Sequence, residues 1–147
     1  ICYNYCGPTG GTYKGGARMI RPRVRLAEDW DAGAIQTLLK DNFQLIDGLS
    51  WVGLRPYWIV AEHKGQIVGC VQALPGRPVG HMGCLVVRKD LQKHGIGVYL
   101  YEAARRLLAA TKTEVFSMTT VSDEVQAMLK RLGASVDSET TLLYQKV

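Results

Sequence analysis

No apolar run in this sequence approaches the roughly 18–20 residues a helix needs to cross a bilayer, and its first residues lack the compact apolar stretch of a secretory signal. A cytoplasmic protein with no membrane partner is therefore expected. Cysteine is scarce, with four residues at 2, 6, 70 and 84. Neither a zinc knuckle nor a disulfide framework has that spacing, so no metal is expected. Cys70 and Cys84 read as small buried thiols of a reducing compartment. Acidic residues are missing altogether from the first 25 positions, where Lys14, Arg18, Arg21, Arg23 and Arg25 are the only charges. The remaining 13 basic and 13 acidic residues cancel, leaving the net charge of +5 on the first 25 residues. A near-neutral body behind a basic arm argues against a broad nucleic-acid surface.

What is present is enough apolar material for one substantial core: 147 residues, 47% of them hydrophobic and 21% charged. Residues 1–21, rich in Gly and Tyr at the start and basic at the end, are assigned to an N-terminal appendage, and 22–147 to the folded domain. The domain opens with an extended segment, Arg23 to Leu26, then a helix starting at Glu28-Asp29 with Ile35, Leu38 and Leu39 on one face. A partly helical stretch is expected from Asn42 to Leu54. Tyr57–His63 and Gln66–Leu74 flank Lys64-Gly65, a two-residue hairpin signal. A further strand is expected over Val79–Val87, with Gly80 and Gly83 hinting at a bulge.

From Ile96 to Ala110 the apolar spacing changes from two to about 3.6, which predicts a helix with Ile96, Leu100, Ala103, Ala104, Leu107 and Leu108 on one side. Glu114–Thr119 reads as a strand. Ser122-Asp123-Glu124 caps a helix carrying Val125, Met128, Leu129 and Leu132, which Gly133 ends. Extended segments near Ala134–Asp137 and Leu142–Val147 complete an α+β mixture.

The passage from the strand ending at Val87 into the helix opening near Gly95 gathers unpaired backbone N–H groups at a helix mouth, where anions are favoured. Glycines at 95 and 97 would let a pyrophosphate lie against the main chain, and Lys93 and Arg88 would add positive charge. A dinucleotide fingerprint would need glycine at 100, where Leu100 stands, and a Walker loop would need Gly-Lys-Ser/Thr, which is absent.

Gln92-Lys93-His94-Gly95-Ile96-Gly97 meets the Gln/Arg-x-x-Gly-x-Gly/Ala signature of the GNAT superfamily of N-acetyltransferases, and from about Arg23 to Val147 the chain resembles that family in its order of elements. The resemblance implies a mixed, mostly antiparallel sheet of six to seven strands, splayed between strands 4 and 5 and flanked by about four helices. It implies acetyl-CoA as co-substrate, with Leu85, Val86 and Val87 offering main-chain hydrogen bonds to the pantetheine and Gln92, Lys93, His94, Gly95, Ile96 and Gly97 wrapping the pyrophosphate. Ser122 stands where the family often has asparagine. It still caps its helix and is kept among the cofactor contacts.

Attack of an amine on a thioester needs a neutral nitrogen and a stabilised oxyanion. His81 and Glu62 are the candidate bases, being the strand residues whose pKa could be tuned toward neutrality. The family's usual tyrosine acid is replaced by Leu129. A coenzyme A thiolate leaves without obligatory help, since its pKa lies near that of cysteine, about 8.5. Tyr99, Tyr101 and Tyr144 are alternative proton donors, or packing aromatics. The expected function is acetyl transfer to a primary amine of a small molecule or peptide, and the alternative is a non-catalytic acyl-CoA-binding or sensing module. Neither the acceptor nor the oligomeric state is legible, and a homodimer is allowed.

Overall fold

The computed structural model describes residues 18–43, 58–119, 123–136 and 142–146. Lys64 and Gly65 both adopt positive φ, 50° and 75°, the geometry of a tight hairpin turn whose twist matches its strands. The chain on either side pairs antiparallel, as β2 (Trp58–His63) and β3 (Gln66–Leu74), from His63↔Gln66 to Trp58↔Gln72. β1 (Arg23–Leu26) pairs antiparallel with β2, placing Arg23 opposite Glu62 and Val24 opposite Ala61. The expected stretch between Asn42 and Leu54 lies, from residue 44 on, outside the described residues.

The chain divides into two compact units, Ile1–Gln72 with Cys84–Ala104, and Ala73–Gly83 with Arg105–Val147. In the first unit, Glu28 leads into a short 3-10 turn, Asp29–Asp31, and then α1 (Ala32–Phe43). Burying Asp31 needs a partner, and Arg25 supplies one with two contacts of 2.6 and 3.0 Å while the Glu28 amide donates to the same carboxylate at 2.7 Å. Burial alone would raise the Asp31 carboxyl. Arg25 and the Glu28 amide outweigh it and hold it below the usual range. The face expected from periodicity is the buried one: Ile35, Leu38 and Leu39 join Ala27, Trp58, Val60, Cys70 and Val86 in one apolar cluster.

The second unit begins within β3 and includes the first half of β4 (Val79–Val87). β4 pairs parallel with β5 (Val115–Thr119), which pairs antiparallel with β7 (Leu142–Lys146), and β7 with β6 (Ser135–Val136). A parallel pair needs a crossover, and α2 (Ile96–Ala110) supplies it, with Ile96, Leu100, Ala103, Ala104 and Leu108 buried. Hydrogen-bonded neighbours follow the order β1-β2-β3-β4-β5-β7-β6. α3 (Asp123–Arg131) ends as the sequence suggests: Gly133 takes φ 99°, and the Ala134 amide reaches back to the Leu129 carbonyl at 3.0 Å. The fold is mixed α+β with mostly antiparallel pairing.

Candidate functional site

β4 is where the candidate site starts. Its parallel ladder with β5 runs from Val79↔Val115 to Met82↔Met118. Two residues further on, Cys84 takes φ 50°, a left-handed conformation that a non-glycine residue rarely adopts. The backbone irregularity expected from Gly80 and Gly83 therefore falls at Cys84. Gly80 is needed for a different reason, since a Cβ there would lie 2.8 Å from the Leu74 carbonyl and 2.9 Å from Thr113 Cγ2. Of the three residues proposed to offer main-chain groups, Val86 is buried in the apolar cluster and Leu85 and Val87 are half-buried.

Beyond Val87 the chain makes a 3-10 turn, Lys89–Leu91, and then enters the loop 92–95. Lys93 and Gly95 both take positive φ, 68° and 84°, and the Gly95 carbonyl accepts from the amides of Val98 and Tyr99 at 3.2 and 3.4 Å. Gly95 is thus the residue at which the chain turns into α2, with Ile96 and Gly97 in its first turn. Ile96 points into the core, 1% exposed, while Gly97 is half-buried. Gln92 folds back, its side-chain amide donating to the Val87 carbonyl at 3.0 Å.

Two contacts in this loop bear on its sequence expectations. Arg88 is not a spare cation: its guanidinium donates to both carboxylate oxygens of Asp90, at 2.6 and 3.0 Å, and to Gln66 at 3.0 Å. The second concerns Gly95, whose α-carbon is covered by the chain's own Met19. A Cβ built at 95 would meet Met19 Cε at 2.5 Å and Sδ at 2.6 Å. The segment before β1 is held there by the Ile20 amide donating to the His94 carbonyl at 2.9 Å and by His94 Nδ1 at 2.7 Å from the Arg18 carbonyl. A carbonyl only accepts, so that His94 nitrogen carries the proton.

In the second unit, the parallel register sets His81 opposite Ser117. His81 Nδ1 lies 3.1 Å from Ser117 Oγ, which in turn donates to the Gly80 carbonyl at 3.5 Å. Their neighbours Met82, Phe116 and Met118 are buried, so His81 and Ser117 belong to the opposite, half-buried face. Partial burial lowers the His81 pKa below its ordinary value, which keeps the imidazole neutral at physiological pH. A neutral imidazole with one nitrogen engaged and the other basic can take a proton.

Glu62 has different surroundings. It sits opposite Arg23 at the edge of the β1–β2 ladder, 3.9 Å from Arg23 and 3.8 Å from Arg25. Leu129 is 2% exposed and apolar, and Tyr99 and Tyr101 are core residues of α2. Cys70 and Cys84 are close, with the Cys70 thiol 3.8 Å from the Cys84 carbonyl, and burial pushes both thiols up, away from reactivity. Ser122 lies outside the described residues, as does the side chain of Tyr144. Among the described residues no cluster of His, Cys, Asp and Glu could hold a metal ion, and no helix is long and apolar enough to cross a membrane.

Sequence reading did not single out Ser117 or the Met19 contact. Ser117 could have been found only by knowing that β4 and β5 are parallel neighbours in this register. Nothing local marks residue 19 as a partner of residue 95.

Comparison with known proteins draws these features together. A family model described as the acetyltransferase (GNAT) family matches residues 24–134. Among solved structures, N-acetylglutamate synthase from Neisseria gonorrhoeae, complexed with coenzyme A and L-arginine, superposes with a TM-score of 0.74 at 16% identity, over 90% of this chain and 34% of that one. The chain thus spans about a third of that enzyme's length. The GNAT family N-acetyltransferase YhbS from Escherichia coli, in complex with CoA, gives 0.70 at 18% identity, over 88% of this chain and 83% of that one. Rv2747 from Mycobacterium tuberculosis, also in complex with CoA, gives 0.70 at 21% identity, over 80% and 74%. No curated protein matches the sequence significantly. At these identities the structures speak for the fold, and the family model, matching well over half of the sequence, shows that the chain belongs to the acetyltransferase (GNAT) family.

Proposed function

We propose that residues 22–147 form an N-acetyltransferase domain that moves an acetyl group from acetyl-CoA to a primary amine of a small molecule or peptide by direct attack on the thioester. The observation that carries this reading is the turn of the chain at Gly95 into the mouth of α2, within the span that matches the family. A 15-residue helix aims its first amides at this point, and such termini favour phosphate. Lys93, Gly95, Ile96 and Gly97 would hold the pyrophosphate through the main chain, with Gln92 bracing the loop against Val87. The main-chain groups of Leu85, Val86 and Val87 would align the pantetheine arm. The CoA complexes of structurally similar proteins support acetyl-CoA as the co-substrate.

For the chemistry, His81 is the better base. Glu62 is occupied by two arginines, whereas His81 is neutral and half-buried. The amine nitrogen bonds to the thioester carbonyl carbon, the amine's proton passes to the imidazole, and the carbon–sulfur bond breaks to release a thiolate. Leu129 supplies no proton, so the thiolate leaves unaided. That same Leu129 favours a second reading, a domain that binds acyl-CoA without turnover.

The test is a thermal shift of the whole chain with acetyl-CoA and with desulfo-CoA, in wild type, Gly95→Ala and Gly95→Glu, each against its own ligand-free melting point. Both variants carry the backbone strain, and only the second sets a negative charge at the phosphate seat. Loss of the shift in Gly95→Glu alone supports the placement, and an equal shift in all three proteins refutes it. Thiol release from acetyl-CoA across a panel of amino acids, polyamines and short peptides separates enzyme from sensor.

A further inference from the structure

One ring nitrogen of His81 has a defined partner on the neighbouring strand, Ser117, and that partner is tied to a third group. Ser117 Oγ has a single proton and lies within reach of both His81 Nδ1, at 3.1 Å, and the Gly80 carbonyl, at 3.5 Å. The Gly80 carbonyl can only accept, so the serine proton that reaches it cannot also point at the imidazole. With both contacts made as hydrogen bonds, the serine oxygen accepts and Nδ1 carries the ring proton. One tautomer follows: the proton sits on Nδ1 and the lone pair on Nε2. From these contacts we infer that Ser117 is a positioning residue for the acetyl transfer, holding His81 in the tautomer whose Nε2 receives the amine's proton.

This inference rests on the reading of His81 as the base and names what that reading requires of its neighbour. The geometry favours it over simple packing. The His81↔Ser117 pair is in direct register on parallel strands, whose backbones are fixed by the surrounding ladder from Val79↔Val115 to Met82↔Met118. Ser117 alternates with the buried Phe116 and Met118, so its side chain cannot turn into the core without exchanging faces. Replacing serine by alanine removes the hydroxyl and leaves the imidazole to choose its tautomer. Threonine retains the hydroxyl and suits a strand. The reacting proton is conserved throughout: it leaves the amine, arrives at Nε2 to give the imidazolium, and is later lost to water, while Nδ1–H stays on Ser117.

The experiment is long-range proton–nitrogen NMR on the full chain with nitrogen-15 histidine, which reads the tautomer without any substrate. His81→Gln identifies the resonance by its disappearance. In wild type at pH 8 the His81 signal is expected to show a protonated Nδ1 and a bare Nε2. In Ser117→Ala it should move toward the opposite tautomer, and in Ser117→Thr it should return. With acetyl-CoA and the amine panel above, kcat in Ser117→Ala should fall about tenfold with little change in KM for acetyl-CoA, as expected for a group that sets up proton transfer. Threonine should restore most of it. A wild-type signal with Nε2 protonated, or a tautomer unmoved by Ser117→Ala, overturns the inference. Full turnover in His81→Gln would instead remove the base assignment beneath it, a result the NMR arm does not depend on.

Discussion

Met19 lies on Gly95: its Cε and Sδ stand 2.5 and 2.6 Å from where a Cβ at 95 would be. The glycine is therefore required for two separable reasons, the left-handed φ of 84° and the thioether packed on its open face. A double-mutant cycle separates them. Gly95→Ala alone should destabilise the chain by about 2–4 kcal/mol, combining about 1 kcal/mol for the backbone with about 1–3 for overpacking. In a Met19→Ala background the same change should cost only the backbone part. Denaturant unfolding of the four proteins measures it, and equal costs in both backgrounds would show that Met19 yields freely.

The same contact bears on cofactor binding. A pyrophosphate lying against the Gly95 face would have to displace Met19 and, with it, the Ile20–His94 hydrogen bond. Met19→Ala should therefore tighten acetyl-CoA binding by about three- to tenfold, since displacing a packed side chain of this size works against binding by about 1 kcal/mol. Isothermal titration with acetyl-CoA reads the change. Weaker binding in Met19→Ala would mean that Met19 supports the seat and does not cover it.

Much of the fold was legible because its signals are local. Lys64-Gly65 marks a hairpin through two adjacent conformations, and Ile96–Ala110 marks a helix through its own periodicity; both stand where expected. The face of α1 and the glycine stop after α3 follow for the same reason. The site was legible only as far as it depends on one segment. The positive φ falls at Cys84, a non-glycine residue, where Gly80 and Gly83 had suggested irregularity. The Met19–Gly95, Arg25–Glu62 and His81–Ser117 pairs join residues brought together by strand register and chain packing, which composition and spacing do not encode.

Arg25 and Asp31 offer a stability test apart from the site. Asp31 is 3% exposed and Arg25 is partly buried, and the pair ties β1 to the turn that starts α1. Asp31→Ala removes the guanidinium's hydrogen-bonded carboxylate, leaving Glu62 at 3.8 Å, and should cost about 3 kcal/mol. The folded carboxyl lies below its ordinary value, so its stabilising contribution is complete above about pH 4 and is lost as the pH falls through the folded pKa. Wild type should therefore lose stability on acidification below pH 4 more steeply than Asp31→Ala. Parallel curves would show that the ion pair contributes nothing to acid sensitivity.

His81 titrates with the same sign in a higher pH range, with consequences for both stability and rate. Its folded pKa is depressed by burial, so between that value and about 6.5 the unfolded chain holds more protons than the folded one. Stability should fall as the pH drops through that window, and His81→Gln should lack this component. The rate should follow the same group. With neutral imidazole as the base, kcat rises with pH through a single pKa below 6.5 and then levels, and His81→Gln should lower it by about 10²-fold or more. Because Leu129 is apolar and buried, no acid is required to ionise at higher pH, and the plateau should hold to about pH 9, short of a tyrosine's usual range near 10. A falling limb before that point would reveal a proton donor on the leaving thiolate, with the tyrosines of the chain the first to replace by phenylalanine.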